Sequence, residues 1–448
     1  MPDRAPGKTW AVLAGLAVIA IAMRAAFLGG GQLDYDEGVY WQSLRALAAG
    51  HPLFSSVYSS QPPGFLLLLA PFYNFLGQSL PAARAGVAFF SVLGIGSAYV
   101  AASRLGGRGA GLAAAALLVA DPLYLRQSVT IQADGPALAL ALGAVAAATL
   151  SRERTGSAGL VYAAGSGLLL GTAVMVKLLA LPAALPVLLL LWTGRARVGA
   201  ALVAGLLMVG VLLVPFSGEL NLVLRQSIGL HLGPSPGGLG GPAALWALAR
   251  WEVPLVIAGI LTAAFHRPRG DLLTAASWLL LAGVALFFVT PLWPHHLLAL
   301  SVPLALLAAP GVASLATRAS IPALALGLLA ALASQAIVVS QQLPSSPAVV
   351  ARVEQLVAPG EEVVTDDQFG AALAGRSTPP ELVDTSFVRV RSHDLSLAQI
   401  ETVARRDRVR LVILASGRLA EVPGLVEWAA ASYPKAEAIG AVRLLEGP

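Results

Sequence analysis

Three carboxylates fall within four residues at Asp34, Asp36 and Glu37, directly after the first long apolar run and its exit glycines Gly29, Gly30 and Gly31. Two uses suit such a cluster. A carboxylate held against an attacking hydroxyl can take its proton as a general base. Asp before a helix and Glu in its first turn can equally close a helix start. In a chain that is 57% hydrophobic and 12% charged, carboxylates at an apolar boundary are costly unless they are paired or put to use. Further along stand single basic residues, Arg45, Arg84, Arg126, Lys177, Arg225 and Arg250, and a histidine pair, His295 and His296. A lone cation at a membrane edge can neutralise a phosphate, or can simply snorkel from a helix end. The histidines can touch a headgroup or phosphate, but no third ligand lies at metal spacing, so a zinc site is not expected.

The elements that must position these groups are membrane helices. The chain has 448 residues and a mean hydropathy of +0.76, far more apolar than a soluble domain. Many windows of about 19 residues carry no charge, the mark of spanning helices. The first run, 9–28, is long enough to span and lacks a clear cleavage site, so no secretory signal is expected. Without cysteine there are no disulfides and no thiolate metal sites. The net charge of +5 suits anionic headgroups. No basic stripe speaks for nucleic acid.

Arg4 and Lys8 before the first run predict a cytoplasmic N-terminus. The basic pairs Arg104/Arg108, Arg152/Arg154, Arg195/Arg197 and Arg267/Arg269, with Arg318, mark cytoplasmic turns. Spans near 82–103, 109–125, 135–150, 158–176, 178–193, 198–216, 251–265, 272–289, 296–316 and 320–340 satisfy that parity. With the first run they make about eleven spans. The stretch 37–50 reads as an amphipathic helix on the outer surface, and 65–76 as a short interfacial or re-entrant segment. The outer loop 217–243, which contains His231, is rich in Gly and Pro. It could serve as a gate or as a slack connector.

Residues 341–448 hold much of the charge and read as a small extracytoplasmic α/β domain, distinct from a transmembrane domain at 1–340. Strands are expected near 361–367, 409–414 and 438–445, and helices near 347–357, 396–406 and 425–432. Asp366 and Asp367 after the first strand suit either a pocket lining or a strand-end turn.

An outer acidic motif, lone outer cations and a deep apolar body together suggest chemistry on a lipid-linked substrate. Asp36-Glu37-x-x-Tyr40, the Gly50 turn, Pro62-Pro63 opening an apolar helix that closes at Gly77, and Arg84 at the next span carry a resemblance. So do Arg104-Leu-Gly-Gly107, Asp121-Pro-Leu123, Asp134 and Val176-Lys177, with a looser match at His295-His296 and Pro303. The chain resembles the polyprenyl-phosphate-sugar glycosyltransferases of family 39, which include protein O-mannosyltransferases and aminoarabinose transferases, within the GT-C superfamily. The resemblance implies a multi-pass fold and an active site on the outer face of the plasma (inner) membrane. It also implies a polyprenyl-phosphate-linked sugar donor and inversion. It makes Asp36 the general base, Glu37 its neighbour in the acceptor site, Asp134 a second acidic position and Lys177 a cation near the lipid phosphate. Asp34 and Tyr40 flank the base. Many relatives carry Lys or His where Gln61 stands, and Gln can only hydrogen-bond. Arg126 or Lys177 must then carry the phosphate's charge, with Arg84 close in sequence to the motif. The acceptor is a lipid, glycan or protein. No cofactor is required, though the acidic cluster leaves room for a divalent metal. The competing class, a transporter or lipid flippase, is disfavoured by the lack of an internal repeat and by charges at helix ends rather than mid-span.

Overall fold

A computed structural model describes residues 6–229, 255–260, 262, 270–289, 292–316, 321–343 and 346–447. The expectations placed on Arg4, Arg267, Arg269, Arg318 and the whole of 230–254, with His231 and Arg250, lie outside the described residues. The chain divides into two compact units. One comprises Met1–Gly29, Arg84–Pro215 and Gly238–Gln341; the other comprises Gly30–Ala83, Phe216–Gly237 and Gln342–Pro448.

The first unit is helical. It holds α1 (Pro6–Phe27), most of α4 (Leu80–Gly106), α5 (Arg108–Ala120), α6 (Pro122–Ser128), α7 (Asp134–Glu153), α8 (Gly156–Val176), α9 (Ala184–Leu191) and α10 (Arg195–Leu213). It also holds α12 (Gly270–Phe288), α13 (Leu298–Ala316) and α14 (Ile321–Ser340). Among the described residues six helices are long and apolar enough to cross a membrane, or seven if the bent pair α5–α6 is one span. That pair corrects one expectation. The run 109–125 is not a continuous helix but bends by 67°, because Asp121 caps α6 by accepting from the amides of Leu123 and Tyr124, with Pro122 at its first turn. The run 178–193 likewise opens as a 3-10 turn at Leu178–Ala183 before α9. The helix α8 packs on both α7 and α10. Its Gly167 and Gly171 lie against the backbone of Ala201 and Gly205, and a Cβ at Gly171 would come 2.6 Å from the Gly205 carbonyl. Small residues four apart let two helices approach to backbone contact.

The second unit is mixed. It contains α2 (Tyr35–Ala48), α3 (Gly64–Phe75), the short α11 (Leu220–Leu224) and an α/β region. The helix α3 has 12 residues, short of a span. The α/β region runs α15 (Pro347–Leu356), β1 (Val363–Thr365), α16 (Gln368–Leu373), α17 (Phe387–Arg391), α18 (Leu397–Arg406), β2 (Leu411–Leu414), α19 (Leu425–Ser432), β3 (Lys435–Ile439) and β4 (Val442–Glu446). The sheet order is β1-β2-β4-β3, with β1 and β2 parallel and the other pairs antiparallel. The stretch expected as one strand at 438–445 is the turn of a hairpin. Ile439 pairs with Val442 around Gly440 and Ala441. Alternate residues of β2 feed two cores, Val412 and Leu414 on one face and Leu411 and Ile413 on the other. A strand covered on both faces reads as a continuous apolar run, which is what Leu-Val-Ile-Leu shows.

Candidate active site

The carboxylates are sorted by the start of α2. Asp34 is the N-cap, with extended backbone (φ −145°, ψ 152°), and its side chain accepts from the amide of Asp36 at 3.1 Å. Glu37 is fully buried, and its Oε2 accepts from the amide of Leu33 at 3.1 Å, closing the turn from the other side. Asp36 lies between them in the first turn and is half-buried. Tyr40, one turn on, is buried with its ring edge-on to Phe65 at 4.8 Å. Gln61 is half-buried, and its backbone brackets the Ser59 hydroxyl, which donates to the Gln61 carbonyl at 2.9 Å. The amide of Ser59 in turn donates to Gln226. The segment from Asp34 to Tyr40 is thus one rigid helix start within the second unit.

The other side of α2 is occupied by the α/β region. The Tyr35 hydroxyl pairs with Thr385 at 3.1 Å, and the Arg418 guanidinium lies 3.6 Å from its ring centre. Burial, then the charge of Asp384, push the Tyr35 phenol above its usual value against the pull of Arg418, so it stays neutral. Arg45 bonds Gly375 and Ser377. Arg225 pairs with Asp394 at 2.8 Å. Two of the lone cations are therefore engaged by the α/β region. Asp366 and Asp367 form a strand-end turn. Asp366 accepts from the amides of Ala415, Ser416 and Leu419, and Asp367 caps α16 through Gly370.

In the first unit, Lys177 and Asp134 meet. Lys177 stands where α8 ends, with extended backbone, and its Nζ donates to Asp134 Oδ2 at 2.6 Å. Asp134 is the first residue of α7 rather than its cap, which is Ala133, so its side chain is turned to the lysine and not to its own helix. Both side chains are buried, and Asp134 Oδ1 makes no hydrogen bond. Arg84 is fully buried and donates to the carbonyls of Phe27 and Leu28 at the end of α1. Arg126 donates to the Gln341 carbonyl at 3.0 Å. His295 is buried and lies edge-on to His296, whose Nδ1 accepts from the Trp293 amide at 3.2 Å. Among the described residues no three His, Cys, Asp or Glu side chains gather as metal ligands.

Sequence reasoning missed a polar knot inside the first unit. Arg24, fully buried, donates to Ser91 at 2.7 Å and Ser128 at 3.1 Å, with its guanidinium 5.8 Å from the Tyr124 ring centre. The available signal was a cation inside the first apolar run, since intramembrane charges rarely stand without partners. It missed Gln42 as well, whose amide bonds two carbonyls of the α/β region. Nothing in the spacing of a lone Gln announces that.

Residues 60–220 match the family model for dolichyl-phosphate-mannose-protein mannosyltransferases. None of the curated proteins matches the chain in sequence. Among solved structures, ArnT from Cupriavidus metallidurans in the apo state is 15% identical, with a TM-score of 0.70 over 99% of this chain and 100% of that one. The same protein bound to undecaprenyl phosphate gives 0.68 over 98% and 99%, again at 15% identity. The archaeal oligosaccharyltransferase AglB from Archaeoglobus fulgidus is 14% identical, with a TM-score of 0.55 over 95% of this chain and 72% of that one. The chain is a multi-pass membrane protein with the fold of the GT-C membrane glycosyltransferases.

Proposed function

We propose that this protein is a membrane glycosyltransferase that takes a sugar from a polyprenyl-phosphate donor and passes it, with inversion, to a hydroxyl on a lipid, glycan or protein acceptor. The reaction runs on the outer face of the inner membrane, with the N-terminus cytoplasmic and the α/β region outside. The acceptor oxygen attacks the anomeric carbon, the bond from that carbon to the phosphate oxygen breaks, and Asp36 takes the acceptor proton. The departing polyprenyl phosphate carries one more negative charge than it did in the donor. A cation already fixed near that oxygen stabilises the charge as it develops. Lys177 fills this role, held in place by Asp134. Glu37 fixes the helix start, and Asp36 is the base.

The observation that carries this reading is the buried Lys177–Asp134 pair at the break after α8, inside the segment matched by the family model. A buried ion pair at the end of a membrane helix contributes little to stability, and its lysine is a cation that an anionic group in a dry site could meet.

The test is transfer in proteoliposomes. Purified protein is given each of a panel of undecaprenyl-phosphate-linked sugars with mixed cell-envelope acceptors. Free undecaprenyl phosphate and glycosylated acceptor should appear in equal amounts. If no donor is cleaved, the reading fails. Passage of intact donor across the bilayer would put the transporter class in its place.

A further inference from the structure

We infer that the α/β region holds the Asp36 helix in position for catalysis, and that Gln42 and Gly38 are positioning residues. This rests on the reading of Asp36 as the base. Five residues of α2 touch that region: Tyr35, Gly38, Trp41, Gln42 and Arg45. At about 100° per residue they form one stripe along the helix. Asp36 lies roughly 150° from the centre of that stripe, on the same side as Tyr40, which packs on Phe65 of α3. The helix is therefore gripped along one side and presents its carboxylate on the other.

The grip is specific at each level. Tyr35 bonds Thr385, whose hydroxyl is in turn held by the Gln368 amide at 2.7 Å. Gly38 lies on the start of α16, where a Cβ would come 2.5 Å from the backbone nitrogen of Phe369. Only glycine permits that approach. Trp41 meets the Phe369 ring edge-on at 5.5 Å. The Gln42 amide nitrogen donates to the carbonyls of both Gln368 and Arg376, at 3.2 and 3.0 Å, straddling α16 from one end to the other. The platform itself is tied to the sheet: α16 follows β1 directly, Asp367 caps it, and Asp366 holds the loop after β2. A helix of 14 residues has little stability alone in water, so its place is set by what it docks on. A displacement of about 1 Å at a catalytic group can cost on the order of 10²-fold in rate.

The experiment uses the full chain in nanodiscs. Gln42→Leu removes both bonds at similar volume, Gly38→Ala pushes the helix off α16, and Tyr35→Phe removes a single hydroxyl contact. Hydrogen exchange over residues 35–48 and donor kinetics are measured on each. Gln42→Leu and Gly38→Ala should speed exchange and lower kcat about ten-fold or more, with donor KM within about two-fold of wild type. Tyr35→Phe should show the same pattern more weakly, and it remains informative if Gly38→Ala does not fold. Unchanged kcat despite faster exchange would overturn the positioning role. Unchanged exchange in Gln42→Leu would overturn the grip itself. If wild type cleaves no donor at all, it is the glycosyltransferase reading that fails, and exchange alone still decides whether the grip exists.

Discussion

The ammonium of Lys177 lies 2.6 Å from Oδ2 of Asp134, across 43 residues of sequence and inside a helical membrane unit. Neither side chain serves its own helix: Asp134 follows the N-cap Ala133 of α7, and Lys177 is the C-cap of α8, closing it only through its backbone amide to Ala173. Each keeps the other's charge compensated while buried. Removing one partner of a buried pair typically costs about 3–5 kcal/mol. Lys177→Ala should therefore lower the melting temperature as well as weaken donor use. Lys177→Ala combined with Asp134→Ala should recover much of the stability and none of the activity. Thermal unfolding alongside donor cleavage separates the two effects. Full activity in the double variant would remove Lys177 from the reaction.

Asp36→Asn keeps the volume and hydrogen-bonding capacity of the side chain but cannot take a proton. Turnover should fall by about 10²–10⁴-fold with donor binding intact. Asp34→Asn is the control, because Asn caps a helix about as well as Asp, and it should stay within a few-fold of wild type. A larger loss in Asp34→Asn would move the base to that residue.

Glu362 should make stability depend on pH. Burial, then the charges of Asp407 and Glu381, raise its carboxyl from 4.5 to about 7, against the pull of Arg406. These groups and His51 line one cleft of about 220 Å³. Between those two values the folded protein holds a proton that the unfolded chain has released. The contribution is therefore favourable below pH 4.5 and is lost as pH rises through 7. Glu362→Gln should raise the melting temperature of the full chain at pH 8 and leave it nearly unchanged at pH 5. An equal effect at both values would rule out the shift.

Asp366 is buried and accepts from three backbone amides of the loop after β2. Asp366→Ala leaves those amides without an acceptor and should cost roughly 3 kcal/mol or more. Chemical denaturation followed by Trp428 fluorescence would register it, and a loss below about 1 kcal/mol would show that water replaces the carboxylate.

Orientation is open to a direct test. A reporter fused after Pro448 should be active on the outer side of the membrane, as the basic turns require. Activity only in the cytoplasm would invert the layout of every span.

The sequence by itself determined the class of the protein and the place of its acidic motif. Apolar windows free of charge admit few environments besides a bilayer, and three carboxylates at the edge of one of them stand out. It also determined most elements of the α/β region, because α15, α18 and α19 follow the helical period and β1 and β2 follow strand composition to within a residue or two. What it could not determine is which groups become partners. Periodicity records which face of an element is apolar, not what lies against it. That Asp34 and Glu37 are both engaged by backbone amides of one helix start, with Asp36 between them in its first turn, is a matter of how that turn folds. The break at Asp121 came from a cap and a proline overriding a run that composition alone would extend. The meeting of Lys177 with Asp134, and the seating of Gly38 on Phe369, join segments far apart in the chain. Such long-range pairings are decided by tertiary packing, where a buried charge or a missing Cβ is tolerated only if the opposing surface matches it.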